Sequence, residues 1–252
     1  YLLKVIQEYK GKVDPELYKI LLFTFSAVIR YTNNMTVSAG NWMDGRPASW
    51  AKHAFWIPNQ FVEVNPLDYI RMRRDAIVTG MRYQQSIILG SKKVNRFSQL
   101  VKEEGTHMIL NQSSDNTSLP DESVNAIITD PPYGSNVQYG ELSHYWLVWL
   151  QKDLEIKKHL FSLDSEVLVN RKSKVKGYDE YQKGMQGIFR ECFRVLKSSG
   201  VLTFTFNNKD IRAWYAVIKA AVEAGFILEP AGVIYQDAIE NYKNTAHTRF
   251  AG

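Results

Sequence analysis

The segment that most constrains the fold is the apolar run from Val124 to Thr129, which ends at Asp130-Pro131-Pro132-Tyr133. A run rich in β-branched residues and closed by two ring-locked residues predicts a buried strand with a rigid polar edge at its carboxyl end. From Thr106 onward, strand-like and helix-like segments alternate. This alternation predicts an α/β fold with a doubly wound, mostly parallel sheet.

The remaining elements follow from apolar spacing and from helix end signals. Asp14 predicts a helix cap, with Pro15 at the first helical position. Helices are predicted at residues 2–10, 15–31, 66–89, 140–150, 179–197 and 210–224, the fifth ending at Ser199-Gly200. Strands are predicted at residues 108–110, 201–206, 226–229 and 232–235. Ligands of such sheets bind beyond the carboxyl ends of the strands, where Asp130 and Asn207 are expected.

The tetrapeptide suits a planar ring that carries an amino group. The Asp130 carboxylate can accept one amino hydrogen, and the backbone carbonyl of Pro131, held outward by Pro132, can accept the other. Tyr133 offers a stacking face to a base extruded from its duplex. Asp-Pro and Pro-Pro are also common in turns, but four specified residues after a strand favour the catalytic interpretation.

Residues 125–150, which contain the tetrapeptide, resemble the amino-methyltransferases, most closely the large adenine-specific DNA methylases. Residues 61–66 and 194–206 resemble further segments of that family. The resemblance implies a Rossmann-like S-adenosylmethionine methyltransferase sheet. It further implies a helical and loop insertion at residues 1–105, the catalytic half at residues 106–252, and methylation of the adenine N6 in DNA by base flipping.

Candidate cofactor and substrate residues are polar side chains in family-like segments. Asn111 and Asp115 occupy the place where the family approaches the adenine of S-adenosylmethionine, although a carboxylate there is also a common turn former. Glu63 and Asn65 could line the same pocket or mark a helix entry. The candidates for contacting the substrate are Tyr139, at the rim of the pocket, and Asn207. Asn207 and its neighbour Asn208 could each be an active-site polar group or a strand terminator.

Methyltransferases of this fold normally carry a glycine-rich turn after the first strand of the sheet, and this sequence contains no convincing example of it. We expect it before Tyr1, and the final Phe250-Ala251-Gly252 is the alternative start of the motif. Its absence keeps open a catalytically inactive nucleic-acid-binding module. A methyltransferase acting on RNA or on another amino group is a further alternative, because a related Asn-Pro-Pro-Tyr motif serves such substrates.

Charge and composition favour a nucleic-acid-facing, intracellular protein. The net charge is +5, and residues 171–177 hold four cations, among them Lys172 and Lys174, which could neutralise DNA phosphates or form a plain exposed turn. The single cysteine, Cys192, excludes an internal disulfide framework. The histidine spacing argues against a metal site, and no apolar run is long enough for a membrane span.

From these features we expect a cytoplasmic enzyme that binds DNA and neither a metal nor a membrane. A restriction-modification setting, with a separate specificity or restriction subunit, is among the expectations. The recognition sequence and the oligomeric state are not encoded in these motifs.

Overall fold

The protein is described by a computed structural model that covers residues 1–38, 47–48, 55, 57–156, 163–170, 176–229, 232 and 234. Backbone contacts divide the chain into two compact units. The first unit comprises Tyr1–Ile109 and Gln138–Glu166, and the second unit comprises Leu110–Val137 and Val167–Gly252. The tetrapeptide lies in the second unit.

The first unit is mainly helical. Its helices are α1 (Leu2–Gln7), α2 (Pro15–Ile29), α3 (Pro66–Ile87), α4 (Phe97–Val101) and α5 (Tyr139–Leu150). Two strands of two residues each, β1 (Val37–Ser38) and β2 (Pro47–Ala48), pair in antiparallel fashion, and β3 (Lys93–Val94) pairs in parallel with β4 (His107–Met108). The apolar core is formed by Ile6, Tyr18, Leu22, Phe25, Ile29 and Leu150.

The long helices of this unit begin where capping residues predict. The Asp14 carboxylate accepts hydrogen bonds from the backbone N–H groups of Glu16 (2.9 Å) and Leu17 (3.3 Å), and Pro15 occupies the first turn. The predicted cap of α2 is therefore confirmed. Asn65 performs the same function for α3 by accepting from the backbone N–H of Leu67 at 3.0 Å.

The second unit packs helices against one face of a parallel strand pair. Its elements are β5 (Val124–Thr129), α6 (Tyr178–Val195), β6 (Leu196–Phe204) and α7 (Ile211–Glu223). The helices contribute Tyr181, Met185, Phe189, Ala216, Val217, Ala220 and Ala221 to a buried cluster. Leu202 and Phe204 of β6 pack against this cluster, whereas Ile128 on the other face of the pair is 85% exposed. Alternate residues of a strand point to opposite faces, which explains the contrast.

The junction of α6 and β6 differs from the sequence prediction. The helix ends at Val195 and the strand starts at Leu196, so Ser199-Gly200 is not the predicted helix terminus. Leu196 pairs with Val124 and Val201 with Ala126, which leaves the intervening residues as a bulge. A Cβ on Gly200 would lie 2.9 Å from the Lys197 carbonyl oxygen, so the bulge requires glycine there.

Several shorter elements also differ from the predictions. The strand predicted at residues 108–110 is β4, which ends at Met108, and residues 226–229 form no strand. Neither β3 nor α4 was predicted. Two of the four residues of the strand predicted at 232–235, residues 233 and 235, lie outside the described residues. The part of the chain that the structure describes is mixed α/β and has its parallel strands in two separate pairs, rather than in the continuous sheet that was predicted. Among the described helices, none combines the length and apolarity that crossing a bilayer requires.

Candidate active site

The tetrapeptide directly follows β5, and its turn is fixed by glycine. Asp130 is exposed, Pro131 is buried, and Tyr133 is half-buried. Gly134 has a φ of +60°, a left-handed conformation that favours glycine. A Cβ at this position would also lie 3.1 Å from the side-chain nitrogen of Asn208. The chain therefore turns sharply at the residue after Tyr133.

Two hydroxyl groups hold one oxygen of the Asp130 carboxylate. Both Tyr133 and Thr205 donate hydrogen bonds to Oδ1, and the two hydroxyl oxygens lie 3.2 Å apart. Both bonds lower the pKa of Asp130 below its ordinary value, and the bond from Thr205 has the larger effect. Within the described residues, no donor reaches Oδ2. Asp130 is thus an ionised acceptor with one oxygen anchored and the other open.

The carbonyl groups that follow Pro131 are also anchored. The Tyr181 hydroxyl donates to the carbonyl of Pro132, and the Asn208 side chain donates to the carbonyl of Tyr133 at 2.7 Å. The backbone N–H of Val169 donates to the carbonyl of Gly134 at 3.1 Å. In the described parts of the chain, the carbonyl of Pro131 accepts no hydrogen bond. The loop is therefore fixed on both sides of this carbonyl.

Asn208 connects the loop to the start of α7. Its side chain is buried, and its oxygen accepts from the backbone N–H of Asp210 at 2.7 Å. The carbonyl of Asn208 accepts from the indole N–H of Trp214 at 2.9 Å. The ring of Phe206 meets the Tyr133 ring edge-on, with the centroids 5.3 Å apart. The segment after β6 thus supports both the backbone and the ring of Tyr133.

A second polar cluster fixes the segment that leads into β5. The buried carboxylate of Glu191 accepts from the backbone N–H (2.8 Å) and the hydroxyl (2.6 Å) of Thr117. Arg194 donates to the same carboxylate at 2.6 and 2.8 Å and to the Leu119 carbonyl at 2.9 Å. Hydrogen bonds from Arg194, followed by those from Thr117, lower the pKa of Glu191 to about 2 despite burial.

Comparison with known families assigns this part of the chain to one of them. Residues 124–251, just over half of the chain, match the family described as DNA methylase. The chain belongs to this DNA methylase family. No curated protein and no solved structure matches the sequence significantly. The matched region begins at β5 and includes the tetrapeptide, Tyr181, Thr205 and Asn208.

The unengaged oxygens of the loop are of two kinds that an amino group can use. An exocyclic amino group carries two hydrogens and a lone pair that is delocalised into the ring. A carboxylate oxygen and a carbonyl oxygen can each accept one of these hydrogens. Asp130 Oδ2 and the Pro131 carbonyl are acceptors of these two kinds on consecutive residues. The loop can therefore bind an amino group by its hydrogens and leave the nitrogen lone pair to react.

The other predicted residues of the second unit are Asn111, Asp115 and Asn207. Asn111 and Asp115 are exposed, and their side chains make no hydrogen bond with the described residues. The Cβ of Asp115 lies 3.8 Å from where a Cβ would stand on Gly187 of α6. Asn207 is exposed, and its carbonyl accepts from the Asn136 side chain at 3.2 Å.

The remaining candidates lie elsewhere. Glu63, Asn65 and Tyr139 belong to the first unit, where Glu63 is exposed and Asn65 caps α3. The capping bonds account for Asn65 in structural terms, and its cofactor role stays a prediction. Tyr139 is the first residue of α5. The predicted DNA contacts Lys172 and Lys174 lie outside the described residues. Among the residues that are described, no group of three or more metal-binding side chains occurs.

The structure adds two residues to those that the sequence nominated for the site. Tyr181 and Thr205 contact the tetrapeptide, but they follow its last residue by 48 and 72 positions. Thr205 lies within the family-like residues 194–206, but nothing in that segment singles it out. Asn208, which the sequence nominated beside Asn207 as a polar residue shortly after a strand, also contacts the tetrapeptide.

Proposed function

We propose that this protein is an S-adenosylmethionine-dependent DNA methyltransferase that methylates the exocyclic amino group of adenine at N6. The observation that carries the proposal is the pair of acceptors left open in an otherwise anchored loop. Asp130 Oδ2 and the Pro131 carbonyl accept no bond from the described residues, whereas the following carbonyls are engaged.

The two acceptors act on the nucleophile. When Asp130 and the Pro131 carbonyl each accept one amino hydrogen, the nitrogen is drawn toward tetrahedral geometry and its lone pair becomes available. The lowered pKa of Asp130 keeps the carboxylate ionised, so it accepts a hydrogen bond rather than donating one. No protein base is needed before transfer, because the proton can leave to water afterwards. Asp130 thus acts through a hydrogen bond and not as a proton acceptor in the rate-determining step.

Tyr133 provides the second requirement, which is a platform for the flipped base. Its ring is held by the hydroxyl contact to Asp130 and by the edge-on contact with Phe206. Stacking of a base on an aromatic side chain contributes roughly 1–3 kcal/mol. A base held both by stacking and by two hydrogen bonds has its amino nitrogen at a fixed position. Alignment of this quality can lower a barrier by roughly 7–11 kcal/mol.

S-Adenosylmethionine would supply an electrophilic methyl group. In the second unit, Asp115 and Asn111 fit its adenosine part. The Asp115 carboxylate can accept a hydrogen bond from an amino or a hydroxyl group. The Asn111 amide can accept in the same way and can also donate to a ring nitrogen. The cofactor contacts of Glu63 and Asn65 and the substrate contact of Tyr139, all in the first unit, stay predictions. Residues 106–252 would form the catalytic half of the domain, with Asn207 at the substrate side.

Methylated nucleosides test this function. The full-length protein is incubated with unmodified DNA, or with RNA, and with labelled S-adenosylmethionine, and the digested polymer is analysed by mass spectrometry. The proposal expects N6-methyladenine from DNA. Methylcytosine would instead assign the other base that the family serves, and label only in RNA would reassign the polymer. Label in neither polymer would contradict the proposal.

A further inference from the structure

One hydroxyl outside the tetrapeptide contacts the proposed acceptor directly. Thr205 lies immediately after β6, and its backbone N–H donates to the carbonyl of Thr129, the last residue of β5, at 3.2 Å. This bond extends the pairing of the two strands by one step toward the loop. The Thr205 side chain therefore starts from a backbone position that is fixed relative to Asp130, and its hydroxyl donates to Oδ1.

We propose that Thr205 is a positioning residue for the methyl transfer: its hydroxyl holds Oδ1 of Asp130 so that Oδ2 is presented to the amino group. The inference rests on the proposed function and extends it to a residue outside the tetrapeptide. Thr205 does not touch the base in this account. It acts only through the orientation of the Asp130 carboxylate.

The physical reason is the rotational freedom of a carboxylate. The side-chain torsion that turns an aspartate carboxylate is broad, so an exposed Asp130 with no partner would present its two oxygens in many directions. Hydrogen bonds from two hydroxyls to one oxygen remove this freedom. They also make the two oxygens chemically different, because Oδ1 is occupied and Oδ2 retains its acceptor capacity.

The two hydroxyls are not equivalent in this task. The Tyr133 ring also stacks the base in the proposed mechanism, so replacing Tyr133 would remove two functions at once. Thr205 is joined to the strand pair and has no such second role. Substitution of Thr205 therefore tests the anchoring of Oδ1 by itself. Serine can supply the same hydroxyl, whereas valine has the shape of threonine without it.

Kinetics of three variants test the assignment. Thr205→Val should lower kcat about tenfold, the effect expected for losing a hydrogen bond to a charged group, with little change in the KM for DNA. Thr205→Ser should stay within about twofold of the wild type because it keeps the hydroxyl. Thr203→Val is the matched control, because Thr203 is exposed on β6 and lies two residues before Thr205. It should behave as the wild type.

A second readout does not depend on activity. Within the described residues, two side chains contact the Asp130 carboxylate. They are the phenol of Tyr133 and the aliphatic hydroxyl of Thr205. Carboxyl ¹³C NMR titration of Asp130 should give a pKa below the ordinary value in the wild type and in Thr205→Ser, and a higher pKa in Thr205→Val. An Asp130 pKa that is the same in all three proteins would overturn the positioning role.

The two tests separate the inference from the proposed function. A wild-type protein that transfers no methyl group contradicts the proposed function, and the NMR titration then still decides whether Thr205 anchors Asp130. An active wild type in which Thr205→Val retains full kcat overturns the inference alone. Equal loss in the valine and serine variants also overturns it, because a hydroxyl-dependent role requires rescue by serine.

Discussion

Replacing Asn208 by alanine removes the side chain that joins the tetrapeptide loop to α7. The variant loses the 2.7 Å bond to the Tyr133 carbonyl and the 2.7 Å bond from the Asp210 N–H. Each of these backbone groups thereby loses its bond to the Asn208 side chain. Each such bond contributes about 0.5–1.5 kcal/mol, so Asn208→Ala should lower the free energy of unfolding by about 1–3 kcal/mol. That loss corresponds to a decrease in Tm of about 2–12 °C.

The neighbouring asparagine provides a matched control. Asn207 is exposed, and its contact with Asn136 uses its backbone carbonyl, so Asn207→Ala keeps that bond. Its free energy of unfolding should change by no more than about 0.5 kcal/mol. Urea denaturation followed by circular dichroism measures both variants, with thermal unfolding as a second measurement. Methyl transfer should fall in Asn208→Ala, because the Tyr133 backbone loses its support.

Two results would refute this reasoning. If Asn208→Ala unfolds at the same urea concentration as the wild type, the buried side chain does not hold the loop. If both alanine variants are destabilised equally, the effect comes from the strand end in general and not from the two buried hydrogen bonds.

Three further predictions concern other contacts. Tyr181→Phe removes the hydroxyl that donates to the Pro132 carbonyl and should lower the free energy of unfolding by about 1–2 kcal/mol in urea denaturation; an unchanged midpoint would contradict that contact. Glu191 has a folded pKa of about 2 against an ordinary 4.5, so its contribution to stability is complete above pH 4.5 and declines as the pH falls toward 2. Glu191→Gln should lose this part of the acid dependence of Tm, and an identical pH profile would refute it. Replacing Lys172 and Lys174 by glutamine should weaken DNA binding and reduce the slope of log K against log salt by about two, whereas an unchanged slope in a salt titration would exclude phosphate contacts.

Local signals made part of the fold predictable from sequence. The cap at Asp14, the asparagine before α3 and the apolar run of β5 act within a few residues, and each predicted element lies where the signal stands. The Asp130 tetrapeptide likewise forms a loop after β5, as predicted, and the roles of its acceptors stay predictions. Amphipathic spacing likewise predicted both ends of α6 and of α7 to within two residues.

What sequence reasoning missed depends on contacts between distant residues. The hydroxyl of Thr205 and the side chain of Tyr181 have no special local pattern, and only the pairing of β5 with β6 and the packing of α6 bring them to the loop. The bulge before Val201 is a further example. Ser199-Gly200 has the composition of a helix end, but β6 already starts at Leu196, because Leu196 pairs with Val124.

The most direct test of the central claim compares the wild type with Asp130→Ala in two assays on the same preparations. Methyl transfer to DNA is measured by the mass of the released nucleosides, and S-adenosylmethionine binding is measured by calorimetry. We predict that Asp130→Ala makes no detectable N6-methyladenine and binds S-adenosylmethionine as the wild type does. Methylation that persists in Asp130→Ala, or an equal loss of cofactor binding and transfer, would contradict the assignment of Asp130 as the acceptor that orients the amino group.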